Sequence, residues 1–224
     1  MKRAYVVSIL ILVLTGCVVA DGAPPRRDSG TDDRRQPAQA RRIDARQTER
    51  FYRIMTPLLK SMDHPKSPRD VQIGIIDQPE INAANAGNGQ FYVTTGLLEK
   101  ANDEQLRGIM AHEIAHDDLG HVAKLQTLGA GLNIGVILLE QLFPGSSAVT
   151  PIAGNLIARG YSRNEEYAAD NHAVTILRRA GYSKEVMIDA LKWVTRASGG
   201  GGGGGFLSTH PDTKDRIARM QELR

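Results

Sequence analysis

The sequence predicts an α+β fold that is rich in helices and has a small sheet containing an antiparallel pair of strands. Hydrophobic residues make up 41% and charged residues 24% of the 224-residue chain, which is the balance of a globular protein. Apolar residues recur at helical spacing over residues 43–62, and a long helical segment covers residues 103–128. Residues 71–77 alternate as a strand does, and a second strand-like run follows at residues 91–94.

A helix, a strand and a hairpin are predicted for the first half of the folded region. One face of the helix over residues 43–62 is formed by Ile43, Phe51, Ile54, Met55, Leu58 and Leu59. Pro65 and Pro68 prevent it from continuing. After the strand at residues 71–77, an extended segment, the turn Gly87-Asn88-Gly89 and a further strand predict a hairpin over residues 81–95.

Helices are predicted for most of the second half, at residues 103–128, 131–143, 151–159, 163–180, 183–197 and 212–223. Asn102 is the expected N-cap of the first, with acidic residues in its first turn, and Ser183 is the expected N-cap of the fifth. The helix over residues 131–143 is very apolar but too short to span a bilayer, so we expect it to be buried. Seven consecutive glycines at residues 199–205 predict a mobile loop.

Charge and cysteine content exclude several kinds of site. The formal net charge is only +3, and no dense Lys/Arg patch interleaved with aromatic residues occurs in the folded region, so we expect no nucleic-acid partner. Cys17 is the single cysteine, which excludes an internal disulfide and cysteine-based metal sites such as zinc ribbons.

The first 40 residues predict export and lipid attachment. Residues 1–16 have a basic start and a short apolar run, which is typical of a signal peptide. The ending Leu14-Thr15-Gly16-Cys17 resembles the lipobox of bacterial lipoproteins, in which the cysteine thiol accepts the lipid. Val18 rather than aspartate follows the cysteine, which favours the outer membrane. Residues 17–40 then form a lipidated, disordered tether before a folded domain at residues 41–224.

His112-Glu113-Ile114-Ala115-His116 is an HExxH motif inside a predicted helix. The i, i+4 spacing places both imidazoles on one helix face, where they can reach one zinc ion at about 2.1 Å. Glu113 lies about 100° further round the helix, too far to share the metal but near enough to accept a proton from a water at the metal. Taken alone, the motif also fits a helix whose histidines are merely structural.

A catalytic zinc requires a third protein ligand. The metzincin pattern is excluded, because Leu119 and Val122 stand where that class has glycine and histidine. His121 lies about 140° round the helix from His116 and is expected to point elsewhere as a structural residue. Glu166 and Asp170 share a face of a later helix, as a zinc ligand and a residue that orients a ligand histidine would. The alternative for this acidic segment is a solvated helix start that suits the helix dipole.

Five blocks of sequence resemble the M48 family of metallopeptidases over residues 70–220. They are Asn82-Ala83, Tyr92-Val93-Thr94-Thr95-Gly96-Leu97-Leu98, Ala111-His112-Glu113-Ile114-Ala115-His116, Ser162-Arg163 with Glu166 and Ala169-Asp170, and Ser208-Thr209-His210-Pro211. The resemblance implies a zincin-like fold with one Zn²⁺ held by His112, His116 and Glu166, and Asp170 behind a ligand. It also selects Glu166 over Glu165. The acids Asp117 and Asp118 depart mildly from the family pattern and are expected to lie outside the ligand face.

The resemblance further implies a zinc endopeptidase of the bacterial envelope that acts in protein quality control. The expected substrates are misfolded or unassembled polypeptides, which would pair with the hairpin 81–95. Glu113 would be the general base. The alternative is a chaperone or assembly factor for outer-membrane proteins that uses a latent protease site; a structural lipoprotein with a degenerate site is a third reading. The sequence leaves the oligomeric state open.

His210 has two expected roles, both implied by the position of the His-Pro block near the family's active site. Its imidazole would either stabilise the developing oxyanion or occupy the open zinc position as a latch. A third possibility is that it merely begins the last helix. Arg216 on that helix is expected to contact an oxyanion or a carboxylate. His64 and His172 lack partners at ligand spacing and are expected on the surface.

Overall fold

The computed structural model describes residues 45–128, 161–198, 205–211 and 213–224, which all belong to one compact unit, Ala40–Arg224. Several predicted features lie outside the described residues: the signal peptide, Cys17, the tether, Ile43, the helices at residues 131–143 and 151–159, and glycines 199–204. The other predicted helices and strands can be compared with the structure directly.

Within the described residues the chain forms eight α-helices, one short 3₁₀ helix and three strands. In chain order they are α1 (Ala45–Lys60), the 3₁₀ helix (Pro68–Asp70), β1 (Gln72–Ile76), β2 (Ala83–Gly87), β3 (Gln90–Thr94), α2 (Thr95–Lys100), α3 (Asp103–Asp118), α4 (His121–Leu128), α5 (Arg163–Arg179), α6 (Glu185–Ala197), α7 (Phe206–Thr209) and α8 (Thr213–Glu222). Helices predominate over a small sheet, which confirms the predicted fold class.

The three strands form one mixed sheet in the order β1-β3-β2. β1 runs parallel to β3, whereas β2 and β3 are antiparallel and form the predicted hairpin. Asn88 and Gly89 turn the chain between them with φ values of 51° and 74°, the left-handed conformation that asparagine and glycine tolerate best. α3 packs against β2, the edge strand of this sheet.

α3 is the central element, in contact with α1, α5, α6 and β2. All residues from Leu106 to His116 are buried. Gly108 allows α6 to come close, because a Cβ atom at this position would lie 2.5 Å from Ala190 Cβ and 2.6 Å from the Val186 carbonyl oxygen. On the opposite side, α1 contributes the apolar face that the sequence predicts, and its members Phe51, Ile54, Met55, Leu58 and Leu59 are at most 1% exposed.

The prediction of one helix over residues 103–128 is wrong, because α3 ends at Asp118 and α4 begins at His121. Gly120 has φ +65°, and its N–H donates to the Asp117 carbonyl oxygen. Glycine adopts this left-handed conformation easily, and a residue in this conformation ends an α-helix. α3 therefore ends shortly after the HExxH motif, with Leu119 as its C-cap three residues after His116.

Side-chain caps explain where two of the predicted helices begin. Asn102 caps α3 in a capping box with Gln105, and Ser162 caps α5 in the same way with Glu165. Ser183 is not the N-cap of α6; Lys184 occupies that position and makes no side-chain cap. The short helices α2 and α7 are absent from the sequence-based prediction. None of the described helices is long and apolar enough to cross a membrane.

Candidate metal centre

α3 brings the three polar residues of the HExxH motif together inside the protein. The side chains of His112, Glu113 and His116 are fully buried. The Nε2 atoms of His112 and His116 lie 3.0 Å apart, so both imidazoles converge on one point, as their spacing predicts. Glu113 lies beside this pair, and its Oε2 accepts a hydrogen bond of 2.9 Å from the Asn85 backbone N–H on β2.

α5 brings Glu166 to the same point. Its carboxylate oxygens lie 3.4 Å from His112 Nε2 and 3.4 Å from His116 Nε2. The neighbouring Glu165 is turned outward, because its carboxylate accepts hydrogen bonds from the Ser162 N–H and hydroxyl in the capping box. The cap therefore turns Glu165 away and leaves Glu166 to face the histidines, as the family resemblance implies.

His210 joins the group from the end of α7. Its Nδ1 lies 2.8 Å from Glu166 Oε1 and 3.1 Å from His112 Nε2, and its Nε2 lies 3.3 Å from Glu113 Oε1. The ring of Phe206 stacks on it, with centroids 4.4 Å apart. One donor atom from each of His112, His116, Glu166 and His210 lies within 4.8 Å of all the others. We call these four residues the central cluster.

The central cluster fits a zinc ion. Three imidazoles and one carboxylate are donors that zinc accepts, and ligands placed about 2.1 Å from a tetrahedral ion are about 3.4 Å apart, close to the separations found here. Glu113 Oε1 is buried and accepts no well-aligned hydrogen bond from the described residues; its polar neighbour is His210 Nε2 at 3.3 Å. A buried carboxylate oxygen left in this way has capacity for a further polar ligand.

A second layer of charged side chains holds the central cluster. Asp170 Oδ1 lies 3.1 Å from His112 Nδ1, on the opposite side of the ring from the ligand nitrogen. Arg216 is fully buried and donates two hydrogen bonds of 2.7 Å to the Asp170 carboxylate, while its Nη1 lies 2.7 Å from Glu166 Oε2. Arg216 thus contacts carboxylates, which is one of the two contacts expected from the sequence.

Comparison with known proteins agrees with this geometry. The sequence model of peptidase family M48 matches residues 45–224. The chain belongs to the M48 family. It is 28% identical over 187 residues to a protease HtpX homolog of Bacillus licheniformis, a match that covers 67% of this chain and 62% of that protein. The chain therefore spans less than two thirds of the length of that relative.

Two further relatives extend the comparison within the M48 family. Metalloprotease YcaL of Escherichia coli is 21% identical over 188 residues, covering 80% of this chain and 72% of YcaL. The mitochondrial metalloendopeptidase OMA1 of Homo sapiens is 30% identical over 166 residues, covering 67% of this chain and 32% of OMA1. The names of both relatives describe metal-dependent proteases.

We call the central cluster together with Glu113 the M48 site. Burial and neighbouring charges shift the pKa values of its two carboxyl groups in opposite directions. Burial raises the pKa of Glu113 above its usual value, although the nearby His210 and His112 oppose the shift. Burial also works against ionisation of Glu166, but the charges of His210 and Arg216 outweigh it and hold its pKa well below the usual range. Two adjacent carboxyl groups thus differ in basicity, and the more basic one is Glu113.

The pKa of His112 is raised to about 9. Burial and the Arg216 charge oppose protonation of the ring, but the charge of Glu166 and the contact with Asp170 outweigh them. The ring therefore lies in a strongly negative environment, which favours any cation at this position.

Two aromatic side chains contact His116 in a way that the sequence did not predict. Tyr161 stacks on the His116 ring with centroids 3.9 Å apart, and its buried hydroxyl has no hydrogen-bond partner among the described residues. His121 is buried, and its Nδ1 lies 2.8 Å from His116 Nδ1. His121 therefore lies behind the His116 ring, on the side away from the donor atoms, as expected of a structural residue, although the break after α3 and not a continuous helix places it there. Tyr161 directly precedes the Ser162 cap of α5, and this position was the signal in the sequence for its contact with the site.

His172, His64 and Asp117 can also be compared with the predictions. His172 was expected on the surface, but its side chain is only 10% exposed and its Nε2 lies 2.7 Å from Asp118 Oδ2. His64 is 81% exposed, as predicted. Asp117 lies outside the ligand group and accepts a hydrogen bond from the Gly89 N–H, so it joins α3 to the hairpin turn.

Proposed function

We propose that this M48 chain is a zinc-dependent endopeptidase of the bacterial envelope that cuts misfolded or unassembled proteins. The convergence of His112, His116 and Glu166 beside a buried Glu113 carries the proposal. A zinc ion bound there supplies a Lewis acid that polarises a peptide carbonyl and lowers the pKa of water. Relatives whose names describe metal-dependent proteases support the same activity.

Glu113 is the general base of the proposed reaction. Its Oε2 is held by the Asn85 N–H, while Oε1 has only the poorly aligned His210 Nε2 at 3.3 Å beside it and can accept a proton once His210 moves away. Burial raises the pKa of Glu113, which makes its carboxylate a stronger base at neutral pH. The same group can return the proton to the amine that leaves when the peptide bond breaks.

His112, His116 and Glu166 are the proposed zinc ligands, and Asp170 positions one of them. The contact between Asp170 Oδ1 and His112 Nδ1 fixes the ring so that Nε2 faces the ion. Arg216 holds the Asp170 carboxylate in turn. This arrangement keeps the donor atoms in place without help from a substrate.

His210 acts as the latch in this proposal. Its Nδ1 lies 3.1 Å from His112 Nε2 and 2.8 Å from Glu166 Oε1, so a zinc ion held by the other donor atoms would have His210 as a further ligand in place of water or substrate. The distances support this role over oxyanion stabilisation, which requires the imidazole to stand beside the reacting carbonyl. Gly205, at the start of α7 with φ +85°, provides a hinge for the His210 segment.

Substrate chains would pair with β2, which stands beside α3. All five β2 residues are buried, and both α3 and α4 pack against this strand. A substrate strand would pair with the edge of β2 that is not bonded to β3. Main-chain pairing recognises extended backbone with little regard to side chains, which suits unfolded substrates. The contact of His210 with the other donor atoms represents a closed form of the proposed enzyme.

Cleavage of casein by the purified full-length chain tests the proposal, with Glu113→Gln and His210→Ala measured beside it. We expect slow, chelator-sensitive cleavage by the wild type, none by Glu113→Gln, and faster cleavage by His210→Ala because the fourth position is then open. Zinc content should stay the same in Glu113→Gln, since this residue is not a ligand. Cleavage by Glu113→Gln at the wild-type rate would exclude Glu113 as the base.

The closed form also favours a second function, a chaperone or assembly factor for outer-membrane proteins. A chain whose open zinc position is filled by His210 can bind polypeptides without cutting them. Cells that carry only Glu113→Gln distinguish the two functions. Envelope proteins that still assemble normally in these cells would support the chaperone function, whereas accumulation of misfolded proteins would support the peptidase.

A further inference from the structure

A second group of metal-binding side chains lies outside the M48 site. It consists of Asp63 and His64 after α1, Asp118 at the end of α3, and His172 on α5; we call it the Asp118 cluster. Three of its members place one donor atom each within 4.8 Å of the others, namely Asp63, Asp118 and His172. None of the four takes part in the proposed peptidase reaction.

Asp118 is the centre of this group and is held rigidly. Its side chain is 0% exposed. Its Oδ2 accepts a hydrogen bond of 2.7 Å from the Asp63 N–H, and its Oδ1 accepts one of 3.0 Å from the His64 N–H. Two imidazole nitrogens face the same carboxylate: His172 Nε2 at 2.7 Å from Oδ2 and His64 Nδ1 at 3.0 Å from Oδ1.

Asp63 presents its free oxygen to the same place. Arg179 pairs with Asp63 Oδ1 at 2.6 Å and also donates to the Ser61 carbonyl oxygen at 3.2 Å. The other oxygen, Oδ2, lies 4.0 Å from His172 Nε2. In metal sites, a carboxylate that ligates through one oxygen is commonly held by a hydrogen bond at the other. Arg179 holds Asp63 in this manner.

We propose that the Asp118 cluster binds a divalent transition-metal ion such as Zn²⁺. Two imidazoles and two carboxylates are a donor set for zinc and its neighbours, unlike the all-oxygen sets of calcium and magnesium. With neutral imidazoles, the two aspartates outweigh the single charge of Arg179, so the group is net negative. A purely acidic cluster would not include two rings directed at one buried carboxylate.

Binding requires only small movements. The contact between His172 and Asp118 is a hydrogen bond, so the ion replaces its proton, and the two donor atoms separate from 2.7 Å to about 3.4 Å. His64 is 81% exposed and has room to turn toward the ion. The ion would connect the end of α1, α3 and α5, and would therefore fix the two helices that carry His116 and Asp170.

Zinc content of the full-length chain, measured after dialysis against zinc-buffered solution, tests this proposal. The variants are His172→Gln and Asp63→Asn for the Asp118 cluster, and His116→Gln for the M48 site. Asp189→Asn, an exposed aspartate on α6 with a side chain 71% exposed, is the matched control. We expect about two zinc ions in the wild type and the control, and about one in each of the other variants.

A second measurement separates metal binding from a loss of stability. Zinc should raise the melting temperature of His116→Gln, in which only the Asp118 cluster remains, and this increase should disappear in His116→Gln/His172→Gln. Equal zinc content in the wild type and His172→Gln would overturn the proposal. Zinc lost from His172→Gln but not from His116→Gln would leave it standing and count instead against the proposed M48 zinc site.

Discussion

Asp170 and Arg216 show how one residue acts on the metal centre through another. Arg216 is fully buried and forms a two-point pair with Asp170, and Asp170 in turn contacts His112 Nδ1. Burial opposes ionisation of Asp170, yet Arg216 holds its pKa below the usual range, so the carboxylate stays charged. A charged carboxylate fixes the tautomer of His112 that leaves Nε2 free to bind a metal.

We expect Asp170→Asn to weaken zinc binding by about 10- to 100-fold, because residues that orient a ligand histidine contribute this much to metal affinity. The amide cannot form an ion pair with Arg216, which then keeps only Glu166 as a charged partner. Competition with a chromophoric chelator gives the affinity, and Asp189→Asn serves as the control. An unchanged zinc affinity would show that Asp170 supports only the fold.

Helix geometry identified some of the site residues from the sequence, and the family resemblance identified others. His112 and His116 share a face of α3 because of their spacing, whereas the resemblance selected Glu166, which the Ser162 cap directs inward in the structure. The contacts of Tyr161 and His121 with His116 depend on where separate segments meet. Periodicity describes one segment at a time, so it contains no information about such contacts.

α3 is the element on which both fold and site depend. It lies among α1, α5, α6 and β2 and carries three residues of the M48 site. The sequence predicted its start correctly, because Asn102 and Gln105 form a capping box. Its end was predicted ten residues too late, since Gly120 resembles an ordinary interior position until its left-handed φ is known.

Gly108→Ala should destabilise the protein by about 1–3 kcal/mol, the usual effect of overpacking a core. Alanine in a helix interior normally stabilises by about 1 kcal/mol relative to glycine, so the sign of the result is informative. Here the added methyl would meet Ala190 and the Val186 carbonyl of α6. Urea unfolding measures the change.

Gly120→Ala is the control for this experiment. A Cβ atom there meets nothing within 4 Å, but the residue has φ +65°, so only backbone strain of about 1 kcal/mol is expected. A stabilising effect of Gly108→Ala would show that α3 and α6 separate easily, contrary to the close packing described above.

The junction between α1 and α3 should respond to pH through Asp103. Arg50 pairs with Asp103 at 2.6 Å, and its hydrogen bond lowers the pKa of that carboxyl. A group whose pKa is lower in the folded state stabilises the protein above its unfolded pKa of about 3.9, and this contribution disappears as pH falls through the folded value.

Asp103→Asn should therefore lower the free energy of unfolding at pH 7 by about 0.5–1 kcal/mol, as expected for a half-exposed ion pair, and by progressively less as the pH falls below the unfolded pKa of about 3.9. Urea unfolding of both proteins at several pH values gives the difference. The same loss at pH 3 and pH 7 would assign the effect to the helix N-terminus and not to the ionised carboxylate.

At the scale of the whole molecule, the sequence predicts an M48 domain attached to a membrane through Cys17. Cys17→Ser removes the thiol that accepts the lipid, so the protein should move from the membrane fraction to the soluble fraction and lose label from radioactive palmitate. Val19→Ala, which keeps the cysteine, should remain with the membrane. Retention of Cys17→Ser in the membrane fraction would contradict lipid attachment at this residue.

Fold class and family membership could be predicted from the whole chain because several short patterns agree with one another. The hairpin turn at Asn88-Gly89, the caps at Asn102 and Ser162, and the HExxH motif each constrain a few residues. The pairing of β1 with β3 in parallel could not be predicted, since it depends on the path of the chain through β2. The position of His210 among the donor atoms is likewise a property of the assembled fold.

The metal centre unites side chains that are far apart along the chain. His112 and His210 are separated by 98 residues, and His112 and Arg216 by 104. Closing such long loops costs conformational entropy, so the donor set is complete only once the chain has folded. During synthesis the HExxH segment exists before the segments that carry Glu166 and His210. Under the proposed function, the chain would gain the ability to cut only when its own backbone has become compact enough to resist cleavage.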